Sequence, residues 1–396
     1  MPITKPIILD ETGKAIVQKL GEQNSLLGVI SRNNARNSWG EIASAVKDGI
    51  ASSVFNVGDI FYAPYKLGDT TYSIPWHVCG VRNVTLPNGT TKEALVIQMH
   101  KMLPKGIQFD NYEAFYKATK KLPAGTYNVT MTDSFGDYIA SGDTYSFTLT
   151  QPVPQGGVLT GFENLAYLGA SGMKIRSYSA IGETVAIEEV VPSKTTEGTH
   201  LGDLSISGTA GMNGLQQVCY GYNRYSQSYI RQWLNGSGKN FWKPQHDYDR
   251  PPANYKEIDG FMTGFDEEFL SVLGKFKLST GKNTVYDDGG MDETYDIFAL
   301  PSLEQMYIKK QVAGEGEALP YWKEALGTAE PRVWYQETPE LVELDMNNTP
   351  RYVWLRSARV GGAGGAGDSW FVLPSGHVDY NPARHPYCVA PLAVIY

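Results

Sequence analysis

The chain has 396 residues, with 34 Lys and Arg against 42 Asp and Glu, for a formal net charge of −8. That acidic balance excludes a surface built to neutralise nucleic-acid phosphates, and no apolar run reaches the ~18 residues a membrane-spanning helix needs. Charged residues are only 19 %, whereas 42 Gly, 25 Tyr and 8 Trp favour strands, turns and aromatic surfaces over a helix-rich enzyme.

The length is enough for two or three domains. Cys79, Cys219 and Cys388 lie far apart, without the spacing of metal ligands, and read as buried thiols outside any disulfide framework. The opening Met1-Pro-Ile-Thr-Lys-Pro lacks a basic stretch followed by an apolar one, so no secretory signal is expected.

Residues 1–52 read as a short helical segment. Ile16 and Leu20, then Ile42, Val46 and Ile50, recur at helical spacing. A short amphipathic helix must bury its face somewhere, on its own domain or on another protomer or assembly. From Val57 the texture turns to strands: 58–65, 74–81 and 93–100, with the Asn88-Gly89 pair marking a tight hairpin turn. Alternation over 126–132 and 144–150, then strand-like pieces at 158–162, 173–178 and 184–191, make 111–209 a small all-β unit of Ig-like or sandwich type. Helices are expected at 225–236, stopped by Asn235-Gly236, and at 266–276, opened by Asp266 and two Glu. A short strand at 296–300 should lead into a helix at Pro301, with Ser302 and Gln305 spaced as a capping box.

The C-terminal stretch alternates between two textures. Apolar runs at 352–355, 370–373 and 389–395 read as buried strands, and between them lie small and polar tracts at 359–368 and 377–386. From Tyr352 onward there is no Lys, Glu, Gln or Met.

Five motifs stand in order: Trp76-His-Val; Tyr229-Ile-Arg-Gln-Trp-Leu-Asn; Asp296-Ile-Phe-Ala-Leu-Pro-Ser-Leu-Glu; Trp354-Leu-Arg-Ser; and Val389-Ala-Pro-Leu. Together they resemble a bacterial and phage domain of C-type-lectin-like fold, in the formylglycine-generating-enzyme-like lectin branch. Where that family usually ends in Gly-Val-Arg-Pro-Ala, this chain has Cys388 for the Gly and Ala390 for the Arg. The resemblance implies an α+β chain: the helical segment 1–52, a C-type-lectin-like domain in two parts, 53–110 and 210–396, and the all-β unit 111–209 inserted between them.

One branch of the family is similar to the variable proteins of diversity-generating retroelements, in which adenines of a C-terminal coding segment are replaced at random. Asn codons so treated cannot yield Lys, Glu, Gln, Met or Trp, which fits the composition after Tyr352 and makes about 352–396 the variable region. On that resemblance the ligand-binding positions are Arg359, Val360, Gly361, Gly362, Ala363, Gly365, Asp368, His377, Asp379, Asn381, Arg384 and His385. Trp354, Trp370 and Pro391 are scaffold. Tyr380 and Tyr387 offer rigid contact area, and a core position is the reading favoured for Trp370.

The implied function is a phage virion adhesin, a binding protein and not an enzyme. It would meet a host-surface protein or glycan, join other virion proteins through its N-terminus, and form a homo-oligomer, a trimer in relatives. It would be made in the bacterial cytoplasm and displayed on the particle, without nucleic-acid partner, membrane insertion, metal or cofactor. Alternatives are a bacterial surface-displayed variable protein and a structural virion decoration protein. The family's oxidase activity would need reactive cysteines or copper, and neither Cys79 nor Cys388 has that context.

Other chemistry is less favoured by spacing. Gly362-Ala-Gly-Gly-Ala-Gly367 matches the letters of a phosphate loop but is followed by a strand-like run, not a helix. His377 and Asp379 lack a third ligand. Asp287-Asp288 and Asp292-Glu293 around Gly289-Gly290 read as a solvated acidic loop before a calcium site.

Overall fold

A computed structural model describes residues 38–111, 223–244, 255–284, 289–361 and 367–396, together with Lys19, Pro252 and Asp287. Between 112 and 222 it describes 113–118, 121, 124–131, 144–155, 157–159, 175–180, 183–186, 189–192, 204–207 and 215–220. The architecture is mixed helix and sheet, mostly strand. No helix among the described residues is long and apolar enough to cross a membrane.

The described part opens on α1 (Trp39–Lys47), capped by Ser38, whose hydroxyl accepts from Glu41 N–H. Its apolar side lies on its own domain: Trp39 packs on Phe269 at 4.6 Å, and its amide donates to Glu268. Ile42 and Val46 are buried in the same core. Between own-domain docking and a partner, the structure places this helix on its own domain. Ala15–Leu20 of the expected helical lead falls outside the described residues, apart from Lys19.

The central sheet is antiparallel and joins both ends of the described chain. It contains β1 (Ile60–Leu67), β2 (Thr70–Thr85), β3 (Thr91–Met99), the last strand, and Leu273–Gly274. The β2–β3 turn forms where the Asn-Gly pair stands: Gly89 has φ +81 and donates to Leu86 C=O. Past a bulge between Val78 and Gly80, the helix at 320–326 presses on β2. A Cβ on Gly80 would meet the Pro320 ring at 2.7 Å, so close approach requires glycine there.

The described strands between 113 and 220 hydrogen-bond among themselves, in a four-stranded and a five-stranded sheet. Gly125–Met131 pairs with Thr144–Leu149, as the alternating pattern expects. The chain re-enters the core at α2 (Tyr229–Leu234), capped by Ser228 and stopped at Asn235, then at α3 (Glu267–Val272), capped by Asp266. The expected helix 266–276 ends at Val272. Leu273–Gly274 instead pairs with Ile395 and Val394, because completing the sheet satisfies more backbone than another helical turn.

A hairpin follows, β4 (Phe276–Gly281) with β5 (Met291–Asp296). The helix expected at Pro301 is a single turn. Its capping box forms in both directions, Gln305 N–H to Ser302 Oγ and Ser302 N–H to Gln305 Oε1, each 3.1 Å. Tyr307 then adopts φ +56, which ends any helix. After α4 (Pro320–Leu326) come β6 (Val353–Ala358), β7 (Asp368–Val372), β8 (Val378–Pro382) and β9 (Leu392–Ile395). Strands β6, β7 and β8 form a three-stranded sheet, and β9 pairs with β3 in the central one.

The quoted motifs meet in space, and hydrogen bonds explain their residue types. Arg231 pairs with Asp296 at 2.7 Å. Asn235 accepts from the amides of Ile297 and Phe298 and donates to Phe298 C=O. Arg356, fully buried on β6, donates to Thr280 Oγ1, to the carbonyls of Leu300, Ser279 and Glu315, and to Gln305 Oε1. Ser357 donates to the buried Glu315 carboxylate, and Trp354 to Ile107 C=O. A buried guanidinium is tolerated only when its donors are engaged, and here one side chain ties four segments to β6.

Candidate ligand-binding surface

The sheet β6–β7–β8 carries most of the residues expected to bind. The β7–β8 pairing sets Trp370 opposite Tyr380, Asp368 opposite Pro382 and Val372 opposite Val378, whereas Ser369 and Phe371 stand opposite Asn381 and Asp379. Alternate residues of a strand face opposite sides, so the candidates divide between two faces.

On the first face Arg359 is the hub. Its guanidinium pairs with Asp368 at 2.7 Å and lies 3.7 Å from the Tyr380 ring centre, a stacked cation–π geometry. Asp368 is buried, and burial raises its carboxyl above the ordinary value while Arg359 opposes that shift. Trp370 is buried edge-on to Tyr380 at 5.4 Å, and its indole N–H donates to Gln311. Gln311 also clasps the backbone of Val360, accepting from its N–H and donating to its C=O. Asn223 donates to the carbonyls of Arg359 and Asp368, holding the base of the 359–368 loop closed.

A neighbouring loop folds over this face. Trp334 packs on Trp370 at 4.6 Å. Tyr335, at φ +59, donates its N–H to Val378 C=O, and its ring lies 5.8 Å from His377 and 6.4 Å from Tyr380. Tyr335 is 51 % exposed and Val333 47 %. The loop is pinned by the β7–β8 turn: Gly376 has φ +77, and a Cβ there would fall 1.9 Å from Thr338 C=O. Proximity of backbone to backbone leaves room for glycine alone.

On the second face Asn381 donates to the Tyr387 hydroxyl. Tyr387 packs on Trp354, Phe371 and Tyr352, and His385 stacks beyond it at 5.9 Å. Burial, with Arg384 beside it, lowers the His385 pKa, so its ring is neutral at neutral pH. Tyr352 is 43 % exposed. Arg384 is exposed, and its carbonyl accepts from Gln108.

The candidates therefore differ in kind. Arg359, Asp368 and Val360 are held by specific partners, and Gly361 has φ +79 at the mouth of its loop. His377, Asp379, Asn381 and His385 are half-buried, and Arg384 is the exposed one. Gly362, Ala363 and Gly365 lie outside the described residues. Trp334, Tyr335 and Gln311 were missed from sequence, although an adjacent Trp-Tyr pair in the polar stretch between Pro331 and Pro339 was a usable signal.

Elsewhere, the acidic loop answers an internal cation: Asp287 and Asp292 both pair with buried Arg224, at 3.1 and 2.6 Å. Asp288 lies outside the described residues. Among the described residues no group of three or more His, Cys, Asp and Glu is arranged to hold a metal. Burial raises the Cys79 thiol well above its ordinary value and the Cys388 thiol to about 11, opposite to what a reactive thiolate needs.

No curated protein and no solved structure matches the chain. Residues 207–395 match the family described as "Domain of unknown function (DUF6273)", a stretch that takes in the β6–β7–β8 surface and most of the frame beneath it.

Proposed function

We propose that this protein is a binding protein, with β7, β8 and the loops around 333–337 and 359–368 as its recognition surface. The observation that carries the reading is the Arg359–Tyr380–Tyr335 group: half-open aromatic and guanidinium surface fixed from behind by buried Trp370, which packs on Tyr380 and Tyr335. Aromatic rings and Arg on a rigid base are what protein interfaces use as anchors. Raised thiols at Cys79 and Cys388 favour binding over cysteine-based oxidase chemistry.

In the fuller form of the proposal the scaffold is a C-type-lectin-like domain whose region 352–396 is diversified by a retroelement. The protein is then a phage virion adhesin directed at a host-surface protein or glycan, displayed on the particle as a homo-oligomer. The joint core of 53–110 and 223–396, with 113–220 pairing within itself, supports the two-part scaffold. The lack of Lys, Glu, Gln and Met after Tyr352 supports diversification.

Two experiments test the parts separately. A near-copy of the segment encoding about 350–396, beside a reverse transcriptase gene and differing at adenines, is expected in the source genome; its absence sinks diversification. Replacing Tyr335, Asp379 and Arg384 together by Ala should abolish attachment of the protein to its host cells while leaving its melting temperature unchanged. Retained attachment sinks the recognition surface.

A further inference from the structure

A cluster of buried titratable groups that the recognition surface does not use gathers where α4 meets the central sheet. Pro320, the first residue of α4, presses on Gly80. The Trp322 indole donates to Gln98 Oε1 at 2.8 Å. Tyr321 stacks on His77, with ring centres 3.9 Å apart and planes 18° from parallel. His77 is 3 % exposed, and its Nδ1 lies 3.2 Å from Nδ1 of half-buried His100, one residue past β3. The other ring nitrogen of His77, Nε2, is buried without a hydrogen-bond partner.

Two imidazoles have four ring nitrogens and, when both are neutral, two hydrogens. One lies between the facing Nδ1 atoms, and His100 Nε2 can hold the other on the half-buried ring. A third hydrogen has two places left, and both are costly. In the Nδ1–Nδ1 gap it sets two N–H groups head to head; on His77 Nε2 it is a buried donor with no acceptor. The closed pair therefore resists any added proton. Burial, and then His100 beside it, lowers the His77 pKa to about 3; burial, and then Lys101, lowers that of His100.

The surroundings do not offset a new positive charge. Lys101 is itself a cation. In register with His77 stand Gln98 on β3 and Ile60 on β1, with exposed Tyr62 beyond, while the Asp59 carboxylate accepts from Asn56 N–H. Cys79 and Glu343 lie near Tyr321. Burial raises the Tyr321 hydroxyl and the Cys79 thiol, and holds the Glu343 carboxyl up at about 8, so none of those three changes charge in mild acid.

We propose that the His77–His100 pair is an acid-operated latch: neutral, it seats α4 on the central sheet, and proton uptake parts the rings and lifts α4 with Tyr321 off β2. Among the described residues no backbone hydrogen bond joins α4 to β2 or β3, so α4 can leave without breaking the ladder. The loop carrying Tyr335 has ties of its own, through Arg332 to the backbone of Tyr307 and Lys309 and through Thr338 against Gly376. The latch and the recognition surface can therefore fail separately. Freed rings titrate near the ordinary 6.5, so each pH unit below that raises the open fraction about tenfold.

The test uses the full chain. From pH 7.5 to 4.5, hydrogen exchange at the Trp322 indole and at the Lys323 and Gly327 amides should speed about a hundredfold, corrected for intrinsic rates. Exchange across β6 and β7 should stay unchanged. His77→Phe can still stack on Tyr321 but takes no proton, and should cut the response below threefold. Glu343→Gln should keep the whole response, because that carboxyl is protonated throughout this range. No response, an equal response in β6 and β7, its survival in His77→Phe, or its loss in Glu343→Gln overturns the latch. Should His77→Phe not fold, the wild-type imidazole resonances decide: His77 titrating near 6.5 with α4 still seated overturns it as well.

Discussion

Strands β6 and β8 belong to one sheet, yet they live under different physical rules. Every residue of β6 is buried, Arg356 included, and its polar groups are spent on fixed partners in other segments. In β8 only Val378 is buried; Asp379, Tyr380, Asn381 and Pro382 are half-open. The first strand carries residues whose identity is dictated by what surrounds them. The second carries residues whose backbone is dictated and whose outer atoms are not. Only the second kind of position can change its side chain without unfolding the protein, which is what a recognition surface of changing specificity requires.

Substitutions can break that comparison, beginning with the largest expected effect. Arg356→Met should destabilise the fold by about 3–5 kcal/mol, because it leaves the carbonyls of Ser279, Leu300 and Glu315 buried without their donor and removes the positive charge near the buried Glu315 carboxylate. Urea denaturation measures it; a loss below about 1 kcal/mol would show that β6 is no frame.

The frame also predicts a pH response. Glu343 is fully buried, and burial pushes its carboxyl up to about 8. The folded chain therefore keeps a proton that the unfolded chain releases above its ordinary value of 4.5, so stability falls as pH rises from there and levels off above 8. Glu343→Gln should remove this loss, gaining on the order of a few kcal/mol at pH 8 and little at pH 4.5. His77 acts in the opposite sense. Burial, with His100 beside it, lowers its pKa to about 3, so stability falls as pH drops below 6.5. Melting curves across pH 4 to 9 should show wild type most stable near the middle, and the Gln variant flat on the alkaline side.

On the surface itself the effects shrink. Arg359→Ala strands the buried Asp368 and uncovers the Tyr380 face, at a cost of about 1–3 kcal/mol. Arg384→Ala, on an exposed side chain, should change stability by no more than about 0.5 kcal/mol. Finding the two equal would erase the distinction drawn between anchored and exposed positions of this surface.

Local signals were legible wherever neighbours in the chain decide the conformation. The Asn88-Gly89 turn, the Asp266 cap and the Ser302–Gln305 box all form, because each is settled by atoms within a few residues. The helix drawn to Phe276 failed because Leu273 is claimed by Ile395, a partner that periodicity does not reveal. The proposed recognition surface was half legible. Small and polar tracts pointed to 359–368 and 377–386, but the two-sided pleat of β8 separated Asp379 and Asn381 from Tyr380. The contribution of Trp334 and Tyr335 depends on a loop brought back by Thr338 against Gly376.

Sequence by itself determined the strand-rich character, the acidic surface, the capping and turn chemistry, and the division between apolar runs and polar tracts, since these follow from composition and short-range sterics. Tertiary structure alone decided that Arg356 is a buried tie, that Asp287 and Asp292 serve Arg224, and that Arg359 stacks on Tyr380. Such facts depend on which distant groups meet, and a charged or aromatic residue looks the same in the chain whether it will face water or close a core.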